Sequence, residues 1–387
     1  MKIASIPGLL RRLYHAERAY RSTRGASLST LQVGLRGLVD ASVDRAYQAS
    51  VLKRIAEAYN KAVVMQSGAP EPYQPGSKWK PQIEQERCEY IQALKKEDFP
   101  ALTKLFENFF RNSGACSILK KNLYPQLTRG FPFGTIAQKE YVAGILHDVQ
   151  VWKGYFQKNT LEDLKFPAIG NPFGYPIDGV IVTGSSASLN YYARRSNAML
   201  ADMPDAVVAE IGSGFGGLFY YLINENPKAI CLDFDLPEVL IIAQYFLMMA
   251  YPQKRFLLLG EPGSEGRLSA KTMQDFDVIL MPNFKLVDLD DDSVDLFLNF
   301  HSLSEMDPVT IGEYVGQIAR VSGGFFFHEN SQVARQIGYG KLEVPVEKYP
   351  ISPQDFKLLY KMTAIWSEPR YMEFLYMKCK RVGYARD

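Results

Sequence analysis

Two rhythms of apolar residues divide the chain. In the first, apolar side chains recur at helical spacing with charges between them, over residues 9–24, 43–65 and 141–156. Residues 84–110 alternate charged and apolar positions in the same helical way. Between these, the Pro- and Gly-rich stretch 68–81 reads as an exposed connection, and 130–134 breaks the pattern again. A further irregular stretch, 166–188, contains the turn sequence Asn171-Pro172-Phe173-Gly174-Tyr175-Pro176. Val180-Ile181-Val182-Thr183 is a short strand candidate, and Ser186 or Ser188 caps the helix expected over 189–200.

From Ala206 the second rhythm takes over. Short apolar runs predict strands at 206–211, 229–232, 276–281, 294–299 and 324–328, and helical patterns lie at 216–224, 238–250 and 308–320. Alternation of this kind predicts an α/β fold: a doubly wound, mostly parallel Rossmann-like sheet with helices on both faces. Residues 361–367 and 372–380 form a terminal antiparallel strand pair around a Pro-containing turn. The expected division is a mainly helical domain over 1–200 and the sheet domain over 201–387.

Composition changes this picture little. Of 387 residues, 47% are hydrophobic and 22% charged, an ordinary globular balance, and the net charge of +2 argues against a polyanion binder. No basic-aromatic module for nucleic acid is present. The first 66 residues differ, with eleven basic residues against four acidic. Such a segment is a solvated helical face, or it attracts an anionic membrane surface or a pyrophosphate-bearing substrate. Cys88, Cys116, Cys231 and Cys379 are scattered and form no metal-binding or disulfide pattern. With no signal peptide and no apolar run long enough to span a bilayer, the sequence predicts a cytoplasmic protein.

The candidate chemistry starts at Val207-Val208-Ala209-Glu210-Ile211-Gly212-Ser213-Gly214-Phe215-Gly216-Gly217, a buried strand that enters a glycine turn and then a helix. Glycine at the turn admits positive φ and lets a ligand approach the backbone. An acid is expected on the next strand to hold ribose hydroxyls. Asp233 and Asp235 both lie near that place, and the 19-residue step from Gly216 favours Asp235. Gly212, Gly214 and Gly217 also satisfy G-x-G-x-x-G, which a nicotinamide-dependent oxidoreductase would share. Glu210, two residues before the first glycine, stands where a dinucleotide site has an apolar residue.

Glu210 through Gly216 resembles the first motif of class I methyltransferases, and Phe234-Asp235-Leu236-Pro237-Glu238-Val239 resembles the second motif of several O-methyltransferase groups. A wider stretch, about 166–335, resembles a family of sugar O-methyltransferases found in bacterial polysaccharide gene sets. It does so through Gly170-Asn171-Pro172-Phe173-Gly174, Ile279-Leu280-Met281-Pro282, Ser293-Val294-Asp295-Leu296-Phe297-Leu298-Asn299 and Ser302-Leu303-Ser304-Glu305-Met306. The resemblance implies S-adenosyl-L-methionine as cofactor. Glu210, Gly212, Ser213 and Gly214 would then meet its methionine and ribose parts, and Asp235 its ribose diol. Leu236, Pro282, Asn283, Phe284 and Asn299 would line the rest of the pocket, with Phe284 stacked on adenine or simply packed in the core.

Methyl transfer to a sugar hydroxyl needs a positioned base. His301, directly after the 294–299 strand, ranks first, followed by Glu305 and His328. The plant-type O-methyltransferases carry their base slightly further along, where this chain has Leu303 and Ser304. The acidic run Asp288, Asp290, Asp291, Asp292 and Asp295 reads as an exposed loop before a strand, and no metal is expected. Asn171, Tyr191, Tyr192 and Arg195 are candidates for binding the sugar or glycan acceptor, which is free or linked to a nucleotide or lipid. The N-terminal domain binds the acceptor or builds a homo-oligomer. Alternatives are a small-molecule natural-product O-methyltransferase and a non-catalytic scaffold on a nucleotide-binding fold.

Overall fold

The computed structural model describes residues 14, 17, 43–115, 136–156, 159–201, 203 and 205–379. Most of the basic segment 1–66, of which a membrane-surface contact is expected, lies outside them, as do Cys116 and the break at 130–134; of the helix expected over 9–24, Tyr14 and Glu17 are described, both helical.

The chain forms two compact units. One comprises Met1–Arg45 with Thr103–Arg195, and the other Ala46–Leu102 with Ser196–Asp387. Residues before Leu200 are therefore shared between the units, and 46–102 belong with the sheet.

In chain order the helices are α1 (Arg45–Gln66), α2 (Trp79–Glu86), α3 (Cys88–Lys95), α4 (Phe99–Phe106), α5 (Ile136–Tyr155), α6 (Ser186–Met199), α7 (Gly217–Glu225), α8 (Pro237–Ala250), the short α9 (Ala270–Met273) and α10 (Pro308–Val321). The strands are β1 (Gly174–Ile177), β2 (Val180–Thr183), β3 (Val207–Ile211), β4 (Ile230–Asp235), β5 (Phe256–Leu258), β6 (Val278–Pro282), β7 (Val294–Phe300), β8 (Ser322–Ser331), β9 (Phe356–Thr363) and β10 (Tyr371–Lys378).

Eight strands form one sheet in the order β5-β6-β4-β3-β7-β8-β10-β9. The pairs from β5 to β8 are parallel, and β10 runs antiparallel to both β8 and β9. This is the doubly wound, mostly parallel sheet with a terminal antiparallel pair that the sequence predicts. β4 and β6 are buried at every position because helices cover both faces. Twelve of the fourteen residues of α8 are buried, so it is a core helix without a solvent face. Winding reverses between β3 and β7, and the crevice at the carboxyl ends of these strands is where such sheets receive ligands.

Three local expectations change. The helical pattern of 84–110 is broken into α2, α3 and α4, because Arg87 leaves helical geometry (φ −107°, ψ 1°) and Glu97 has φ 51°. The connection 68–81 is not wholly exposed: Tyr73 is buried and donates to Glu313 at 2.7 Å. Within the stretch taken for irregular turns, β1 pairs with β2 across Asp178-Gly179, whose φ values of 49° and 85° suit a two-residue hairpin turn. In that same unit, Trp152 of α5 donates to Asn190 of α6 at 2.8 Å, which joins the two helices.

The sheet core includes Ile211, Phe234, Met281, Phe297, Ile318 and Phe326. Phe297 and Phe326 are fully buried on adjacent strands. Replacing Phe297 by Ala should lower unfolding free energy by about 3–5 kcal/mol, read by urea denaturation; a loss under ~1 kcal/mol would mean this layer is not tightly packed.

Candidate active site

The end of β3 enters a turn in which Gly212 and Gly214 have φ of 76° and 68°. A Cβ on Gly212 would stand 2.3 Å from Ser302 Oγ, so backbone and side chain meet there with no room to spare. At Gly214 nothing lies within 4 Å of a Cβ position, which leaves the backbone open to a ligand. Asn299, fully buried at the end of β7, holds this arrangement: its Nδ2 donates to Ile211 O at 2.9 Å and its Oδ1 accepts from Asn330 Nδ2 at 2.8 Å. Ser302 Oγ also donates to Ile211 O at 3.0 Å. Asn299 thus ties β7 to β3 and β8.

Four acids gather beside the turn. Glu210 on β3 lies directly across from Asp233 on β4, and Asp235 and Glu238 follow where β4 passes into α8. All four are buried. Asp233 Oδ2 accepts from Ser213 Oγ at 2.5 Å, and Asp235 Oδ1 accepts from Leu236 N at 2.7 Å. Glu210 Oε2, Asp233 Oδ1 and Glu238 Oε2 have no hydrogen-bond partner. Burial, followed by the charges of Asp233 and Asp235, raises the Glu210 carboxyl well above the usual carboxylate range. Burial and then Asp235 do the same to Asp233, against the hydrogen bond from Ser213. Asp235 is pushed up to about 7 by burial, although the Leu236 and Gly214 N–H groups and the Arg87 charge pull it down. Such a cluster is suited to a ligand that brings positive charge and hydroxyl donors.

His301 leaves β7 with a φ of 68°, a costly conformation for a residue with a side chain. Its Nε2 lies 2.7 Å from Oε1 of the fully buried Glu329 and 3.1 Å from Ser367 Oγ, and its ring stacks on Tyr371 at 4.4 Å. With Glu329 ionised, Nε2 donates to it and the Nδ1 lone pair remains for an incoming hydroxyl. The side chain is 45% exposed, which leaves it reachable. Tyr371 is itself held by Glu343, to which it donates at 2.9 Å.

The other candidate bases are engaged or buried. Glu305 forms an ion pair with the buried Lys78. His328 does not reach the strand end, because β8 continues to Ser331; it is fully buried against Phe326 and Phe374, and burial lowers its imidazole to about 3. Asn283 directs its amide to Tyr73 O at 3.1 Å and Tyr314 Oη at 2.7 Å, and Phe284 packs in the core. Leu236 packs against Ile83 and Val239. Pro282 pairs with Asp235 in register and borders a small pocket with Ala58, Tyr59, Pro237 and Leu259.

The acceptor candidates belong to the other unit. Asn171 (φ 56°) donates to Asn108 Oδ1 at 2.8 Å. Tyr191 and Tyr192 are buried edge to face at 5.2 Å, and Arg195 donates to Tyr191 Oη at 2.8 Å. Of the acidic run, Asp288 pairs with Lys285, Asp290 with Arg267 and Asp291 with Arg320, and Asp295 accepts from Val207 N. Among the described residues no three His, Cys, Asp or Glu side chains converge as a metal site. Also among them, no helix is long and apolar enough to cross a membrane.

Glu329, Ser367 and Tyr371 were not singled out by sequence reading. Glu329 had a local signal, since it directly follows the strand predicted over 324–328; Ser367, between β9 and β10, and Tyr371, at the start of β10, had none.

No family model matches the chain, and no curated protein matches it. Among solved structures, it is similar to the pyocyanin biosynthetic protein PhzM, at 11% identity over 51% of this chain and 56% of that one, TM-score 0.34. It is also similar to magnesium protoporphyrin IX methyltransferase (ChlM) from Synechocystis PCC 6803 with bound SAH, at 11% identity over 50% of this chain and 84% of that one, TM-score 0.33. A third is geranyl diphosphate C-methyltransferase from Streptomyces coelicolor A3(2), at 8% identity over 48% of this chain and 76% of that one, TM-score 0.31. The chain spans little more than half the length of the first of these.

Two outcomes are expected of the ligand-free chain. Gly212→Ala should lose about 1–3 kcal/mol or more of stability, since positive φ and the Ser302 contact both oppose a Cβ; unchanged urea denaturation would contradict the described turn. Asp235 keeps its proton to about pH 7 in the folded chain, against an ordinary value of 3.8. The stability this contributes is therefore full below about pH 4 and lost as pH rises through 7. Asp235→Asn should flatten that decline in denaturation series between pH 5 and 8.

Proposed function

We propose that the chain is an S-adenosylmethionine-dependent O-methyltransferase acting on a sugar hydroxyl of a glycan or glycan precursor. The observation that carries this reading is the set of unpartnered carboxylate oxygens of Glu210 and Asp233 beside the open backbone of Gly214. Buried acceptors without donors are costly, and a ligand with positive charge and N–H or O–H groups relieves that cost. Glu210 and Asp233 would hold the ammonium end of the cofactor, Asp235 its ribose diol, and Leu236 and Pro282 would flank adenine. When bound, the cofactor supplies an electrophilic methyl group.

His301 would receive the proton of the acceptor hydroxyl at Nδ1. Glu329, buried against Nε2, orients the ring and stabilises the imidazolium that results. Tyr371 fixes the plane of the ring by stacking. The sugar class of the acceptor is supported by the resemblance of residues 166–335 to sugar O-methyltransferases; Asn171, Tyr191, Tyr192 and Arg195 remain proposals for acceptor binding.

Calorimetry should show binding of S-adenosylhomocysteine and none of NAD; the reverse result removes this reading. Methyl transfer assayed across nucleotide sugars, lipid-linked sugars and free oligosaccharides tests the acceptor, and turnover of none of them would leave no support for the sugar class. His301→Ala should lower kcat by about 10²–10⁴-fold while S-adenosylhomocysteine affinity stays within about 3-fold. Full turnover in that variant would exclude His301 as the base.

A further inference from the structure

The proposed base directly follows the end of β7, and its side chain is 45% exposed, so packing holds little of it. The Nε2 contacts with Glu329 and Ser367 tie down one corner of the imidazole and leave its plane free to turn about that corner. The plane decides where Nδ1 points. It is set by the Tyr371 ring, 4.4 Å away and inclined by only 16°. What holds Tyr371 therefore holds the base.

Tyr371 opens β10, and its hydroxyl is used twice. It donates to Glu343 Oε1 at 2.9 Å and accepts from Arg370 Nη2 at 3.0 Å. Arg370 Nη1 is paired with Glu343 Oε2 and also donates to Ser331 Oγ at 3.1 Å. Both carboxylate oxygens of Glu343 are thus engaged, and its side chain has no exposed surface. Hydrogen bonds to a carboxylate are about twice as strong as neutral ones, and a buried acid that lost them would carry the full cost of desolvation. The hydroxyl fixes the long axis of the Tyr371 ring, and the Arg370 guanidinium, 4.3 Å from the ring centre, holds its plane. Glu343 anchors both.

Glu343 itself is placed by the segment between β8 and β9. Its N–H donates to Arg335 O at 2.9 Å, and that of Val344 donates to Ser304 O at 2.8 Å. Ser304 Oγ in turn donates to His301 O at 2.9 Å. Two adjacent residues thus grip His301 from both ends. Val344 does so through the backbone of the loop, and Glu343 through the ring stacked on the imidazole.

We infer that Glu343 is a positioning residue for His301, acting through the Tyr371 ring. This rests on the reading of His301 as the base.

Ring currents test it on the full chain without an acceptor. A tyrosine face this close shifts the Cδ2–H and Cε1–H resonances of His301 upfield, and those signals are assigned by their absence in His301→Ala. Glu343→Ala should lose most of the upfield shift, Tyr371→Phe part of it, and Glu343→Asp, which keeps the charge, should fall between Glu343→Ala and wild type. Glu343→Ala combined with Tyr371→Phe should lose little more than Glu343→Ala alone, because the two residues act in one chain of contacts. With an acceptor that is turned over, kcat should fall about 10–100-fold in Glu343→Ala while KM for S-adenosylmethionine stays within about 3-fold. His301 signals in Glu343→Ala and Tyr371→Phe that match wild type overturn the inference, as does a wild type without the upfield shift. A lost shift with kcat unchanged overturns it too. If Glu343→Ala does not fold, Tyr371→Phe and Glu343→Asp decide: wild-type signals in both sink the proposal. Full turnover by His301→Ala removes the base reading and leaves the ring-current result standing, so the two fail separately.

Discussion

Desolvation of four carboxylates at one edge of a parallel sheet is the constraint on which the rest of the structure turns. Glu210 and Asp233 are neighbours across β3 and β4, inside a region closed to water. An acid in such a place is stabilised by a proton, a hydrogen-bond donor or a cation. The chain supplies some of these: the Ser213 hydroxyl for Asp233, and backbone N–H groups and the Arg87 charge for Asp235. It leaves other oxygens without a partner. A folded core tolerates this only where its surroundings fix the geometry, and Asn299, Ser302 and Asn330 perform that role with hydrogen bonds joining three strands.

The same rim carries the second chemical group. Ser302 presses on Gly212, and His301 precedes it with a left-handed backbone. The tight contact at the glycine turn and the position of the imidazole are therefore one geometric fact: moving Ser302 away from Gly212 would move His301 too. Glu329 then comes from the adjoining strand and Tyr371 from the antiparallel one, so the site draws on β3, β4, β7, β8 and β10 together.

Much of this was legible in the sequence, for a physical reason. Strands buried on both faces must be apolar along their length, and β3, β4, β6 and β7 announce themselves that way. Glycines at positive φ mark the turn, and the acids that follow are conspicuous among apolar neighbours. The three-residue β5 is too short for such a signal, and the β1–β2 hairpin was hidden because Asn171–Pro176 looked like turn chemistry throughout, although Asp178-Gly179 marked its turn. His328 looked equivalent to His301 because both stand near strand ends; only the full length of β8 shows that one is buried among aromatic rings. Asn283 and Phe284, expected near adenine, are also engaged by Tyr73, Tyr314 and the core, contacts spanning long sequence separations that no local pattern encodes.

Residues 46–102 bring a different consequence. They are joined to the sheet by contacts such as Arg54 with Glu261 and Tyr73 with Glu313, which bridge more than two hundred positions. During synthesis from the amino end, α1 through α3 therefore emerge long before the strands they cover exist. Their apolar sides must stay wet, or be shielded by a chaperone, until α8 and β5 are made. Assembly of this unit is bound to be late and slow, and the half-made chain is prone to stick to its neighbours.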